Sequence, residues 1–232
     1  MRISSHKGFT LVEMLVVITI VGILAGLSIP VISSANVKAQ KSKCLSNMRQ
    51  IGLAMMTYAG ENDYQLPETS HTTGAGRLQE AWITILKPYL ANVDDVRICP
   101  ADPLGSERLA AGGTSYILNS ILFTPETDRR GRPIGPPPTL LKINNPAQTM
   151  MAFVISEQQS TGLSTDHTHS DSWNSWGNVT RDISPDRFTT SEKADHSVGT
   201  SNYLFADGHV QSIKAQVIKA RVDSGENIAL LQ

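Results

Sequence analysis

From Phe9 to Ile32 the chain reads FTLVEMLVVITIVGILAGLSIPVI, and Glu13 is the only charged residue in it. A helix of this length rises about 1.5 Å per residue and spans a bilayer core of about 30 Å. After Pro30 the pattern changes. Val37, Cys44, Met48, Ile51, Met55 and Tyr58 recur at spacings near three, four and seven, forming one apolar stripe. Lys38, Lys41, Lys43 and Arg49 fall on other faces. The stripe predicts a helix that docks on a globular domain, and the lysines predict a solvated face or one that meets lipid headgroups. Pro30 predicts a bend, because proline removes one helical hydrogen bond. Gly60-Glu61-Asn62-Asp63 closes the pattern.

Beyond residue 60 the alternation is weaker. Trp82–Leu90 predicts a short helix. Val96–Pro100, Ser115–Phe123 and Thr149–Ser156 predict strands. Arg129–Pro138, RRGRPIGPPP, predicts an irregular loop, and the polar stretch 162–191 one long loop. Ser201–Ala206 and His209–Ile213 flank Asp207-Gly208, which predicts a hairpin with a type I′ turn. There Tyr203 and Phe205 share one face, Leu204 and Ala206 the other. A terminal helix is expected in 214–232.

Composition narrows the class further. Of 232 residues, 40% are hydrophobic and 18% charged, which excludes a disordered tail. The net charge of -1 gives no basic field for nucleic acid. Two cysteines, Cys44 and Cys99, form no CxxC motif and are too few for a disulfide-built scaffold.

Arg2 and Lys7 precede the apolar run, and the positive-inside rule keeps that end cytoplasmic and the rest of the chain across the membrane. A cleaved signal peptide, with Ser33-Ser34-Ala35 as its site, and a plain anchor are simple alternatives; a buried core helix is a third. The two export readings leave Glu13 unexplained, since a carboxylate there costs about 2.5–3.5 kcal/mol on insertion without a partner.

Lys7-Gly8-Phe9-Thr10-Leu11-Val12-Glu13 resembles the cleavage and methylation motif of type IV prepilins and type II secretion pseudopilins. The resemblance implies cleavage after Gly8 by a membrane prepilin peptidase, which then methylates Phe9. It implies that Glu13 neutralises the terminal ammonium of a neighbouring subunit during assembly. Cleavage would remove Arg2 and Lys7 and take the formal charge from -1 to -3. The segments 44–52, 98–102 and 202–209 resemble a branch with a C-terminal histidine-spacer-Asp-Gly signature. Here His196 precedes Asp207-Gly208 by ten intervening residues, where the pattern usually has nine.

The implied fold is α+β and pilin-like: a long N-terminal helix, half membrane and half amphipathic, packed on a small antiparallel β-sheet domain. The expected divisions are a leader at 1–8, an assembly helix at 9–32, a stalk helix at 33–60 and a globular domain at 61–232. The expected function is a structural subunit of a type IV pilus-like or type II secretion pseudopilus fibre. Its partners would be the prepilin peptidase/methyltransferase, like subunits, an inner-membrane assembly platform and membrane lipid, with no nucleic acid. It would sit in the inner membrane with one span and its domain extracytoplasmic, free or built into a periplasmic or surface fibre. The alternative is a membrane-anchored extracytoplasmic binding protein or enzyme that uses loop 162–191.

Three site readings remain. Cys44 and Cys99 either form a disulfide in an oxidising compartment or are two buried thiols that never meet. Asp166, His167, His169 and Asp171 either converge on calcium or zinc or belong to a solvated loop. Trp173 and Trp176 in that loop either cover an apolar patch or meet a ligand or subunit. No cofactor is required. An enzyme is not expected: there is no GxSxG, phosphate loop or HExxH motif. His196, Asp207 and His209 are the one constellation to weigh, and turn chemistry already accounts for Asp207.

Overall fold

In a computed structural model, residues 10–70, 80–125, 135, 138–191 and 193–230 are described. The leader, Gly8 and Phe9 lie outside them, as does most of the RRGRPIGPPP segment.

Helix α1 runs without interruption over Leu11–Glu61, 51 residues, or about 76 Å at 1.5 Å per residue. The helix continues through Pro30, where a bend was expected. One lost hydrogen bond is small against helical turns that continue on both sides. Thr10 caps the N-terminus and Asn62 the C-terminus, after which Asp63 and Tyr64 turn the chain with positive φ. Along the first half the described side chains are exposed, and the helix is long and apolar enough to cross a membrane. From residue 44 the predicted stripe is buried: Cys44, Met48, Ile51 and Met55 are each at most 1% exposed.

The short helices α2 (Trp82–Ile85) and α3 (Gly105–Ala110) lead into strand β1 (Tyr116–Leu118). Helix α4 (Ser120–Phe123) follows at once. Strand β2 (Met150–Val154), helix α5 (Trp176–Asp182), strands β3 (Thr200–Phe205) and β4 (Val210–Lys214), and helix α6 (Ala215–Asp223) complete the order. The four strands pair antiparallel in the order β1-β2-β3-β4.

Alternation puts successive side chains of a strand on opposite faces, and both faces here are covered. Leu204 and Ala206 join Tyr116, Leu118 and the stripe of α1 in one core. Tyr203 and Phe205 join Ile117, Phe153, Val179 of α5 and Ile218 and Val222 of α6 in the other. The result is three layers: the stalk half of α1, the sheet, then α5 and α6. A register shift between Met150 and Ala152 lets Met151 and Ala152 both face the α1 layer.

Four expectations need correction. The expected strand at Val96–Pro100 is a 3-10 turn over Asp94–Arg97, closed by Ile98 N–H donating to Asp95 C=O. Ser115–Phe123 is a strand only to Leu118, because the Asn119 side chain accepts from Ile121 N–H and starts α4. The β3–β4 turn is not type I′. Asp207 has no positive φ, while Gly208 has φ 86°, and Phe205 N–H donates to His209 C=O at 2.9 Å. That is a three-residue loop whose last residue is the left-handed glycine of a bulge. Finally, 162–191 is no free loop: it holds α5, a 3-10 turn at Ser170–Ser172 and several fully buried residues.

Candidate functional site

The exposed apolar half of α1 and its first turn form the candidate site. Thr10 Oγ1 accepts from Glu13 N–H at 3.2 Å. The Glu13 carboxylate in turn accepts from Thr10 N–H at 2.9 Å and from the Thr10 hydroxyl at 2.7 Å. This reciprocal capping box satisfies two helix-end donors. It also gives the Glu13 carboxylate a partner within its own chain, where the sequence implied only one from a neighbouring subunit.

The stalk–domain junction is the second place where predicted site residues sit. Cys44 and Cys99 are free thiols, both buried in the core between the stalk half of α1 and the sheet. Asn47 Nδ2 donates to Ile98 C=O at 2.9 Å, and Asn202 Nδ2 donates to Lys41 C=O at 3.0 Å. Both amides tie α1 to the domain within one helical turn of Cys44. Further along, Gly52 lets the hairpin approach: a Cβ there would lie 2.7 Å from Leu204 Cδ1.

Of the four residues weighed as metal ligands, His167, His169 and Asp171 line one cleft, while Asp166 is turned inward. The Asp166 carboxylate, fully buried, accepts from Ser70 N–H at 2.9 Å and from the Ser70 hydroxyl at 2.6 Å. His167 Nδ1 lies 2.8 Å from Asp166 Oδ1. His169 turns toward Asp182, at 3.8 Å, and its N–H donates to that carboxylate at 2.7 Å. Asp171 lies beside them in a cleft lined by Ser120, Thr124 and His167. Among the described residues no three His, Cys, Asp or Glu side chains are gathered to hold a metal ion. Residue 167 instead bridges Leu118 beside β1, with Thr168 N–H donating to Leu118 C=O at 2.8 Å. Trp173 covers Phe153 edge-on at 5.1 Å and donates its Nε1–H to Asp182 at 2.9 Å, so it is core. Trp176 donates to Asp195 C=O at 2.6 Å and lies under the Lys219 ammonium.

The signature residues are separated. His196, at positive φ 53°, places Nδ1 2.9 Å from Asp186 before β3 begins. Asp207 pairs with His209 at 2.6 Å beyond its other end. Six residues of strand, about 20 Å, separate them, so His196, Asp207 and His209 make no common catalytic group.

One buried constellation escaped the sequence reading. Arg108 Nε donates to Asp102 at 2.9 Å with both side chains at most 1% exposed. Ser115 donates to the same carboxylate at 2.6 Å, and Arg108 Nη2 donates to Ser156 C=O at 3.1 Å. The Cys-Pro-Ala-Asp segment, followed by an arginine in an apolar setting, was the available signal. The pair welds the residues after Cys99 to the end of β2.

A long helix with an exposed apolar half, laid on a small antiparallel sheet, is the pilin-like architecture. The family model for the prokaryotic N-terminal methylation motif matches residues 3–29. Type II secretion system core protein G of Escherichia coli K12 is 36% identical over 107 residues, covering 45% of this chain and 70% of that protein. The protein of the same name from Dickeya chrysanthemi is 34% identical over 123 residues, covering 52% and 78%. Type IV major pilin protein PilA of Myxococcus xanthus is 31% identical over 67 residues, covering 27% and 30%. No solved structure matches the chain. The chain belongs to the family of prepilin-motif proteins that includes type II secretion core protein G.

Proposed function

We propose that this chain is a structural subunit of a type IV pilus-like or type II secretion pseudopilus fibre, cut after Gly8 and methylated at Phe9. The observation that carries this is the split of α1: the large apolar side chains from Leu11 to Ile32 are exposed, while the stripe from Cys44 is covered by the chain's own domain. An apolar helix half with no partner among the described residues of its own chain has two fitting covers, lipid before assembly and like subunits after it. The matched methylation motif and the pseudopilin and pilin relatives support the same reading.

In this account the subunit waits in the inner membrane with its domain extracytoplasmic. The Thr10 cap lowers the cost of holding Glu13 in lipid, because a hydrogen-bonded carboxylate is less penalised than a bare one. On assembly, the ammonium of Phe9 from a neighbouring copy approaches Glu13, and two opposite charges in low dielectric offset each other's desolvation. The prepilin peptidase and an assembly platform in the membrane are the partners this route requires.

Mass spectrometry of the mature protein tests the reading. The expected N-terminus is a methylated Phe9, and Gly8→Val should leave the full-length chain in the membrane. A mature protein that keeps Met1, or one that starts near Asn36, overturns it.

A further inference from the structure

We propose that Cys44 and Cys99 are joined by a disulfide in the exported protein, a covalent clamp between the stalk helix and the domain. Cys44 is 0% exposed and Cys99 1%, on two elements that the fold brings together from separate parts of the chain. Both are free thiols and belong to the same buried core. The backbones on either side are held in register by amide contacts, Asn47 to Ile98 C=O and Asn202 to Lys41 C=O. Downstream, the buried Asp102–Arg108 pair fixes the turn that carries Cys99.

The thiolate is the attacking species in thiol–disulfide exchange. While the domain is still folding, the Cys44 thiolate attacks a disulfide oxidant of the extracytoplasmic space and releases one oxidant thiol. Cys99 then loses its proton, attacks Sγ of Cys44 in the mixed disulfide and releases the second. Two thiols have lost two protons and two electrons, and the oxidant has become a dithiol.

The bond closes the chain from 44 to 99 and ties the domain to α1 at the end of their contact nearest the membrane half. A fibre subunit is pulled along its helix, and this is where helix and domain would begin to peel. The location in an oxidising compartment rests on the fibre-subunit reading; the fitness of the pair does not.

The test takes full-length protein from the membrane and alkylates it after denaturation, with and without prior reduction. The expected result is no label before reduction and two labels after it. Reduction should also lower the melting midpoint in detergent by about 10 °C, the shift a crosslink closing a loop of this size gives in a chain of this length. Double substitution Cys44→Ala with Cys99→Ala should remove that dependence on reductant. Two labels in the unreduced sample overturn the proposal. A second arm then locates the fault, using the purified reduced protein with oxidised glutathione. If the bond forms there, the extracytoplasmic placement is wrong; if it does not, the pairing is.

Discussion

Leu24 and Met48 stand on one unbroken helix, both large and apolar, and they meet different surroundings. Leu24 is 59% exposed and Met48 1%. The helix does not distinguish them, since its hydrogen bonds run through both halves. The difference comes from what lies opposite. The sheet lays Leu118, Leu204 and Ala206 against the second half, and among the described residues the domain reaches no further toward the N-terminus than those near 37. Fifteen large apolar side chains between Leu11 and Ile32 stay about half exposed or more. Covering them is worth on the order of 20 kcal/mol at about 1.5 kcal/mol each. That exceeds the total stability of an ordinary domain, about 5–15 kcal/mol. The first half is therefore built for a cover other than its own domain, and the second half is a finished core.

The largest effect should come from charging the finished half. Ile51→Asp buries an unpaired carboxylate and should abolish cooperative unfolding of the domain. Leu24→Asp should leave the domain's melting curve in detergent unchanged. Circular dichroism melts of both variants check this, and equal damage from the two would erase the contrast.

Next in size is the polar interior on the domain side. Arg108→Ala strands the Asp102 carboxylate and should cost about 3–5 kcal/mol in denaturant titrations. The cost should be the same whether or not the chain keeps residues 1–32. This pair was illegible in the sequence, as was the buried role of Asp166. Polar residues in a stretch without apolar period read as a solvated loop, and only the partners, Ser70 and Asp182 among them, make their burial affordable. The long helix and the β3–β4 hairpin were legible, because hydrophobic period and an Asp-Gly pair are local signals. Val96–Pro100 misled for the opposite reason. Its local alternation suits a strand, but among the described residues no strand pairs with it, and it turns instead. The place of Cys44 and Cys99 lay between: the burial of Cys44 was readable from the stripe, and that Cys99 shares its core only from the fold.

A smaller effect separates the glycines. Gly52→Ala drives a Cβ against Leu204 and should cost about 1–3 kcal/mol. In Gly22→Ala and Gly26→Ala the new Cβ has nothing within 4 Å, so the domain's stability should not change. Unfolding midpoints for the three variants decide it. The smallest effect is expected from metal. With Asp166 turned to Ser70 and His169 to Asp182, millimolar calcium or zinc should shift the melting midpoint by less than about 1 °C. A clear rise that His169→Ala removes would restore a site in the 162–191 segment.

The central claim is that copies of this chain cover the exposed half of α1 in the assembled state. A photo-crosslinking side chain at Leu24, in cells that make the fibre, tests it most directly. The account predicts adducts between copies or related subunits of the fibre, and predicts that Glu13→Leu abolishes them while the chain stays in the membrane. Adducts that persist undiminished with Glu13→Leu would contradict the charge-pairing route, and a wild-type chain that crosslinks to lipid alone would contradict the fibre.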